Sequence, residues 1–337
     1  MFSKACISEA SQVDPVDAER ITDLLYEMGH DLLEKRQYDE AAKWLERAYD
    51  VLIRQDVEKL SHNAEDLRIS VTHGLVKALL CLQREDARLK AWNLIDLLEY
   101  EVGDKLVIFL LKLELISTNP EFEAADYYDG LRRIIQAVHL TSLNLNTIMQ
   151  HVHKLRSRDS NLACKALDQL LCERLLDTDK ENWIEKAVIT RIWTSTTSSN
   201  STDTLCSLRV FLTMLTANRP KSLTLTASAT HAAQILLWKR IEVTCGQQQY
   251  DIAESWCRLA LHPVFGRSGW LNVAKIERKL ILCALGRRDL TSARELCLQM
   301  SEASRTAPMT KYLMYKVAVR SGDEDLGKYM ILCFWTV

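Results

Sequence analysis

The sequence predicts an all-α fold built from repeated pairs of helices. Within the stretch 38–49, small or apolar residues recur at helical spacing, so they share one helix face. These residues are Tyr38, Ala41, Leu45 and Ala48, and the same spacing returns near residue 250. Only 10 glycines and 5 prolines occur among the 337 residues, which is typical of long helices joined by short turns.

A glycine lies nine residues before Tyr38, inside the preceding helical pattern. Because glycine is a poor helix former, Gly29 indicates that another helix crosses closely there. The combined pattern Gly-x8-Tyr-x2-Ala-x3-Leu-x2-Ala matches the helix–turn–helix signature of tetratricopeptide (TPR) repeats. Such repeats stack into solenoids that usually hold other proteins. We therefore expect a TPR-like helical-repeat solenoid, a superhelix of antiparallel helix pairs.

Hydrophobic periodicity predicts about fourteen to sixteen helices, two to each repeat. The first pair is expected at about 21–35 and 38–53. The following helices are expected at about 67–82, 87–98, 104–117, 120–138, 142–156, 160–176, 181–194, 223–245, 250–260, 271–285, 290–300 and 306–320.

The Tyr38 spacing recurs twice in the last third of the chain. Where the first repeat has Gly29, these two have Ile241 and Ile281, so we expect degenerate repeats with wider helix crossings. The closer match consists of Tyr250, Ala253, Cys257 and Ala260, and the looser one begins at Leu290.

The expected organisation is one long array between two irregular ends. We assign residues 1–17 to a flexible leader and residues 18–326 to the array. A Ser/Thr-rich segment near 194–204 predicts an exposed loop between helices. The chain ends on an apolar run, whereas a solenoid needs a polar terminal face. We therefore hypothesise that residues 327–337 are a non-native end and that the chain is a fragment of a longer array.

The composition argues against several classes of function. The formal net charge of −2, with acids and bases mixed throughout, lacks the concentrated basic face of a nucleic-acid binder. Ten cysteines occur without a CxxC pair, and we interpret them as small packing residues. The most apolar run, 106–116, is too short to span a bilayer and contains Lys112 and Glu114.

We find no pattern of an active site. The sequence contains no HExxH, GxSxG, P-loop or GxGxxG motif. His151 and His153 are two residues apart, so their imidazoles point in different directions on a helix. We therefore expect no catalytic residue, no cofactor, no metal and no small-molecule substrate. An enzyme with a helical toroid or a helical regulatory domain is the alternative from another class.

The TPR pattern implies a groove lined mainly by the first helix of each repeat. Two interpretations of Tyr26 and Trp238 stay open, because aromatic residues there either anchor a partner or pack between helices. The candidate protein-binding residues implied by the pattern are Asp23, Tyr26, His30, Trp238, Glu242, Lys275 and Arg278.

The chain also resembles one particular family of repeat proteins. The segments 24–33 and 38–49, the latter containing Lys-Trp-Leu-Glu-Arg-Ala-Tyr, look like the first repeats of the meiosis-specific TPR scaffolds of the synapsis-initiation group. This is the fungal "Zip-four" or sporulation-type family, related to a mammalian testis-expressed TPR protein. The segments 66–70 and 318–326 are similar to that family as well.

The resemblance implies a non-enzymatic scaffold that promotes meiotic crossover recombination and assembly of the synaptonemal complex. The implied partners are meiotic recombination and chromosome-axis proteins, and the implied location is the nucleus, on meiotic chromosomes. We expect no direct nucleic-acid contact and no membrane contact. The alternative function is a generic TPR adaptor or a co-chaperone-type assembly subunit.

Overall fold

All regular secondary structure in the described part of the chain is helical. The predicted all-α class is therefore confirmed, whereas the TPR type of the repeats stays a prediction. The computed structural model describes residues 14–56, 59–103, 105–118, 122–198, 201–217 and 224–322. The proposed non-native end at 327–337 lies outside these residues.

Sixteen α-helices occur in the described residues, with a π-helical turn at Leu171–Leu175 and a 3-10 turn at Pro263–Phe265. The α-helices are α1 (Pro15–Glu34), α2 (Tyr38–Ile53), α3 (Ala64–Cys81), α4 (Glu85–Val102), α5 (Leu106–Thr118), α6 (Ala124–Ala137), α7 (Ser142–Arg156), α8 (Ser160–Leu170), α9 (Glu181–Thr197), α10 (Ser201–Ala217), α11 (Ala227–Gly246), α12 (Tyr250–Ala260), α13 (Trp270–Gly286), α14 (Leu290–Gln299), α15 (Glu302–Thr306) and α16 (Pro308–Ser321).

The first helix begins earlier than the sequence indicated. We assigned residues 1–17 to a leader, but α1 starts at Pro15, and Ala18 is already fully buried. Proline suits the first turn of a helix because it lacks only an N–H that would stay unpaired there, and Asp17 adds a favourable charge. The part of the leader at residues 1–13 lies outside the described residues.

The Ser/Thr-rich segment near 194–204 is largely helical, which corrects the expected loop. Helix α9 continues to Thr197, and α10 begins at Ser201. The hydroxyls of Thr194 and Thr197 donate to carbonyls four residues earlier, at 2.9 Å each, so a polar run can remain helical. Helix α10 was missed entirely, although its buried residues Leu205, Leu208, Phe211, Leu212 and Leu215 follow helical spacing.

The chain forms two compact units, Met1–His151 and Val152–Val337, with the boundary inside α7. In the first unit each helix from α1 to α5 packs against the helix that follows it, and α3 also contacts α1 and α5. In the second unit α8 packs on α9, α9 on α11, α11 on α12, α12 on α13, and α13 on α14. Helix α14 packs on α16. Contacts between successive helices and between alternate helices are typical of a helical-repeat fold.

A close helix crossing joins the first two helices of the first unit. Gly29 of α1 faces Leu45 of α2, and a Cβ added to Gly29 would lie 2.6 Å from Leu45 Cγ. Ala41, Leu45 and Ala48 have no exposed surface, and Tyr38 is half-buried. The absent side chain of Gly29 therefore lets the first two helices approach closely.

A comparable contact in the second unit involves a different glycine. The ring of Tyr250 on α12 packs where a Cβ on Gly286 of α13 would lie, 2.7 Å away. Ile241 and Ile281 are both fully buried. The other residues of the Tyr250 pattern, Ala253, Cys257 and Ala260, are buried as well.

Four helix pairs share one turn geometry. The residue two positions before the second helix has a positive φ of 53–63° in each of them. The N–H of Gln249 bonds to the carbonyl of Thr244, and the N–H of Asp289 bonds to Ala284 in the same way, as in a Schellman C-cap. The four left-handed residues are Arg36, Gln83, Gln248 and Arg288.

Candidate protein-binding surface

The seven candidate binding residues lie on three helices. Asp23, Tyr26 and His30 lie on α1 of the first unit, whereas the other four lie on α11 and α13 of the second unit. The candidates therefore form two sets, one in each unit.

The α1 set consists of one half-buried ring and two exposed polar side chains. Tyr26 packs against the core of the first unit, and its ring centroid lies 5.7 Å from that of His30. Nδ1 of His30 lies 4.0 Å from a carboxylate oxygen of Glu34. Packing therefore accounts for the position of Tyr26.

The α11 and α13 set is centred on a half-buried indole. Nζ of Lys275 lies 4.0 Å from the ring centroid of Trp238, and Nζ of Lys279 lies 5.5 Å from it. Each ammonium group is within the range of a cation–π interaction, which contributes about 0.5–1 kcal/mol at an exposed site. The structure thus brings two of the candidates, Trp238 and Lys275, into contact.

The third candidate, Glu242, binds a residue that the sequence analysis did not single out. Its Oε1 lies 2.7 Å from Nζ of Lys279. Burial lowers the pKa of Lys279, but the hydrogen bond to Glu242 and nearby negative groups more than compensate, so the net pKa is raised. Because Lys279 follows Lys275 by one helical turn, the spacing of four residues is a signal that points to it.

The fourth candidate, Arg278, does not join this group. Its Nη1 donates to Oγ1 of Thr310 on α16 at 3.3 Å. Arg278 therefore connects α13 to α16.

An open pocket of about 230 Å³ lies between α11 and α13, next to Trp238. The apolar residues that line it are Ile235, Trp238 and Ile276. The basic residues that line it are His231, Lys239 and Lys275, and the amides are Gln234 and Asn272.

The side-chain amide of Gln234 already forms hydrogen bonds within the protein. It is buried, its Nε2 donates to the carbonyl of Ala260, and its Oε1 accepts a hydrogen bond from Ser268 at 2.9 Å. Gln234 therefore holds the segment after α12 against α11.

Three thiols meet at the end of the same helix pair. Sγ of Cys245 on α11 lies 3.6 Å from Sγ of Cys283 on α13, and Cys257 of α12 is hydrogen-bonded to Cys283. Hydrogen bonds from Cys257 and Cys245 lower the pKa of Cys283, against the effect of burial. The sequence analysis interpreted the cysteines as single packing residues, so it did not indicate this cluster. Cys81 also departs from that interpretation, because it is exposed.

The basic segment at the end of α7 is engaged with aromatic rings. The guanidinium carbon of Arg156 lies 3.4 Å from the ring centroid of Trp193, and His153 meets the same ring edge-on at 5.4 Å. Nδ1 of His151 lies 2.6 Å from the hydroxyl of Tyr127. These side chains therefore make contacts with aromatic residues of the protein.

The described residues lack two other kinds of site. No group of three or more His, Cys, Asp or Glu side chains there is arranged to hold a metal ion. No helix in the same residues combines the length and the apolar character needed to cross a bilayer.

Comparison with known proteins identifies relatives of this chain. The family described as "Meiosis protein SPO22/ZIP4 like" matches residues 1–262. Sporulation-specific protein 22 of Saccharomyces cerevisiae (strain ATCC 204508 / S288c) is 24% identical over 223 residues, which are 65% of this chain and 22% of that protein. The chain thus corresponds to about a fifth of the length of this relative.

Proposed function

The chain belongs to the SPO22/ZIP4-like family of meiosis proteins, and from this premise we propose that it is a non-enzymatic scaffold that binds other proteins during meiosis. In this proposal it promotes crossover recombination and assembly of the synaptonemal complex. Its partners are meiotic recombination and chromosome-axis proteins, and it acts in the nucleus on meiotic chromosomes.

The observation that carries the proposal is the open face between α11 and α13. Trp238 and Lys275 lie in contact beside a pocket lined by the exposed Ile235. Aromatic and apolar side chains around a depression are characteristic of the centre of a protein interface, and charged side chains such as Lys275 are characteristic of its polar rim. A helical-repeat array offers several such faces, so binding at more than one raises the effective concentration of its partners.

The proposal includes no direct nucleic-acid contact and no catalysis. Acidic and basic residues nearly balance, with a net charge of −2, and Arg156 is engaged with Trp193. A protein that binds nucleic acid through its phosphates would need a concentrated basic surface. The helical-repeat fold likewise agrees with a role in binding proteins rather than in chemistry.

The test is to tag the full native gene and to image spread nuclei through meiotic prophase. We expect discrete foci along paired chromosomes. Diffuse signal in vegetative cells, with none on meiotic chromosomes, would overturn the meiotic assignment and favour the generic adaptor.

A matched variant links the result to the structure. Ile235→Asp with Lys275→Glu changes exposed side chains at the α11 and α13 face, so the fold should be retained. We expect this variant to form foci but to recover fewer recombination or axis proteins by affinity purification. Unchanged recovery would show that this face does not carry the scaffold function.

A further inference from the structure

We propose that the pocket between α11 and α13 binds an acidic peptide segment that carries one large apolar side chain. This inference rests on the proposed function, because it names the chemistry of a partner that the scaffold would hold.

The floor of the pocket is apolar and partly open to solvent. Ile235 is 44% exposed, Trp238 is half-buried, and Ile276 is buried beside them. An exposed isoleucine beside an indole leaves apolar surface in water, and burying such surface favours association by roughly 25 cal/mol per Å². The floor therefore suits an apolar side chain from a partner.

The size of the pocket limits what it can hold. Its volume of about 230 Å³ is below the range of roughly 300–1,000 Å³ for pockets of cofactor-sized or drug-sized ligands. The pocket is also open along one side, between two helices. A single large side chain on an extended chain fits this shape better than a free small molecule does.

The rim of the pocket has a surplus of positive charge. Lys239 and Lys275 line it, and neither has a carboxylate within ion-pair distance in the described residues. Glu242 is paired with Lys279, so it does not offset this charge. Carboxylates beside the apolar side chain of a partner would balance the two lysines and speed the encounter.

The indole is held in place before any partner arrives. Lys275 and Lys279 both contact Trp238, and Lys279 is fixed in turn by Glu242. Because these side chains are already ordered, less conformational entropy is lost on binding.

A single-stranded nucleic acid also combines negative charge with affinity for aromatic rings. Such strands bind along basic grooves that offer several stacking rings in succession. This pocket has one indole, whose surroundings are occupied by Lys275 and Lys279, and its other apolar residues are aliphatic. The arrangement therefore favours a peptide.

The experiment measures binding of short fluorescent probes to the full chain by anisotropy. The probes are a glutamate-rich peptide with one central leucine, the same peptide with alanine in its place, a lysine-rich peptide with the leucine, and a short single-stranded DNA. We expect the acidic leucine peptide to bind most tightly, with an affinity that falls as salt is added.

Three variants test the site. Lys239→Glu with Lys275→Glu should raise the Kd of the acidic leucine peptide about tenfold or more, because two attractions become repulsions. Ile235→Ala should weaken the leucine peptide but leave the alanine peptide nearly unchanged. Lys165→Glu, an exposed position on α8, is the matched control and should have no effect.

Failure of the acidic leucine peptide to bind would overturn the inference, as would an unchanged Kd in the double charge reversal. Tighter binding of the DNA or of the lysine-rich peptide would overturn it as well. Meiotic foci without peptide binding would remove this inference and leave the scaffold proposal. Peptide binding that depends on the pocket, without meiotic foci, would remove the meiotic role and leave the binding site.

Discussion

Arg191 of α9 is fully buried, and its Nε donates to Oδ1 of Asp168 on α8 at 2.7 Å. The same guanidinium donates to Ser195 and, at 2.8 Å, to Ser207 of α10. Its carbon also lies 5.2 Å from the ring centroid of Phe211. One buried charge therefore connects three successive helices in the second unit.

Removing the acidic partner should destabilise the second unit strongly. Asp168→Ala leaves the Arg191 charge buried without a counter-charge, and we expect a loss of about 3 kcal/mol in the free energy of unfolding. Replacing both residues, with Asp168→Leu and Arg191→Met, should recover most of the loss because no buried charge remains.

Urea denaturation followed by circular dichroism measures both effects. Asp177→Ala, at an exposed position, is the control and should stay within about 0.5 kcal/mol of the unchanged protein. A double variant as unstable as Asp168→Ala would show that packing, rather than the unpaired charge, determines the loss.

The crossing of Gly29 and Leu45 predicts a steric cost for any side chain at position 29. Gly29→Ala should destabilise the first unit by about 1–3 kcal/mol, because the added Cβ lies 2.6 Å from Leu45 Cγ. Leu45→Ala alone leaves a cavity and should cost about 2–5 kcal/mol. The double variant should cost less than the sum, since the clash is gone.

Gly246→Ala is the matched control for this crossing. Gly246 ends α11, and apart from its chain neighbours and the backbone of its own helix no atom lies within 4 Å of a Cβ added there. Because glycine is unfavourable in a helix, this change should be neutral or stabilise by up to about 1 kcal/mol. Thermal melts compare the variants, and equal effects of Gly29→Ala and Gly246→Ala would contradict a close crossing.

The left-handed conformation of the turn residues predicts that a change to glycine increases the stability of the protein. Gln248 has a φ of 61°, which costs a residue with a side chain about 1–2 kcal/mol. Gln248→Gly should stabilise the protein by roughly 0.5–1 kcal/mol, after the entropy that glycine adds to the unfolded chain is subtracted. Gln247→Gly, next to it at an ordinary φ of −81°, should destabilise instead. The Tm of each variant is the measurement, and Tm shifts of the same sign for both changes would contradict the prediction.

His262 predicts a loss of stability in mild acid. Burial lowers the pKa of His262, and its Nδ1 accepts a hydrogen bond from the N–H of Val264 at 3.3 Å. The folded state therefore favours the neutral imidazole. The stabilisation is complete above the unfolded pKa of about 6.5 and is lost as the pH falls from there towards the lowered folded pKa.

The variant His262→Asn separates the contribution of His262 to the pH dependence of stability from the contributions of other titrating groups. Asparagine keeps an acceptor for the N–H of Val264 but does not titrate. We expect a smaller drop in Tm between neutral pH and mild acid in the variant than in the unchanged protein. Identical pH profiles would show that other groups, such as His73 and His153, whose pKa values are also lowered by burial, account for the dependence.

The local sequence pattern was sufficient to predict most helices, but it was not sufficient to predict where they end. Helix α2 has the predicted bounds because the stripe from Tyr38 to Ala48 is regular. The end of α9 was misjudged because hydroxyls that favour loops can instead bond to carbonyls of their own helix. The choice between these two states depends on the packing of Thr194 and Ser195 in the interior, which local pattern does not contain.

The sequence by itself determined the all-α class, the pairing of successive helices and the resemblance to a meiotic family, because helical period and short motifs are local properties. Only the tertiary structure decided which residues of different helices meet. Trp238 and Glu242 of α11 lie beside Lys275 and Lys279 of α13, and Cys245 lies beside Cys283. Since α12 and a turn separate α11 from α13, the register between these two helices depends on packing among all three. The same packing directs Arg278 to Thr310 rather than to the pocket.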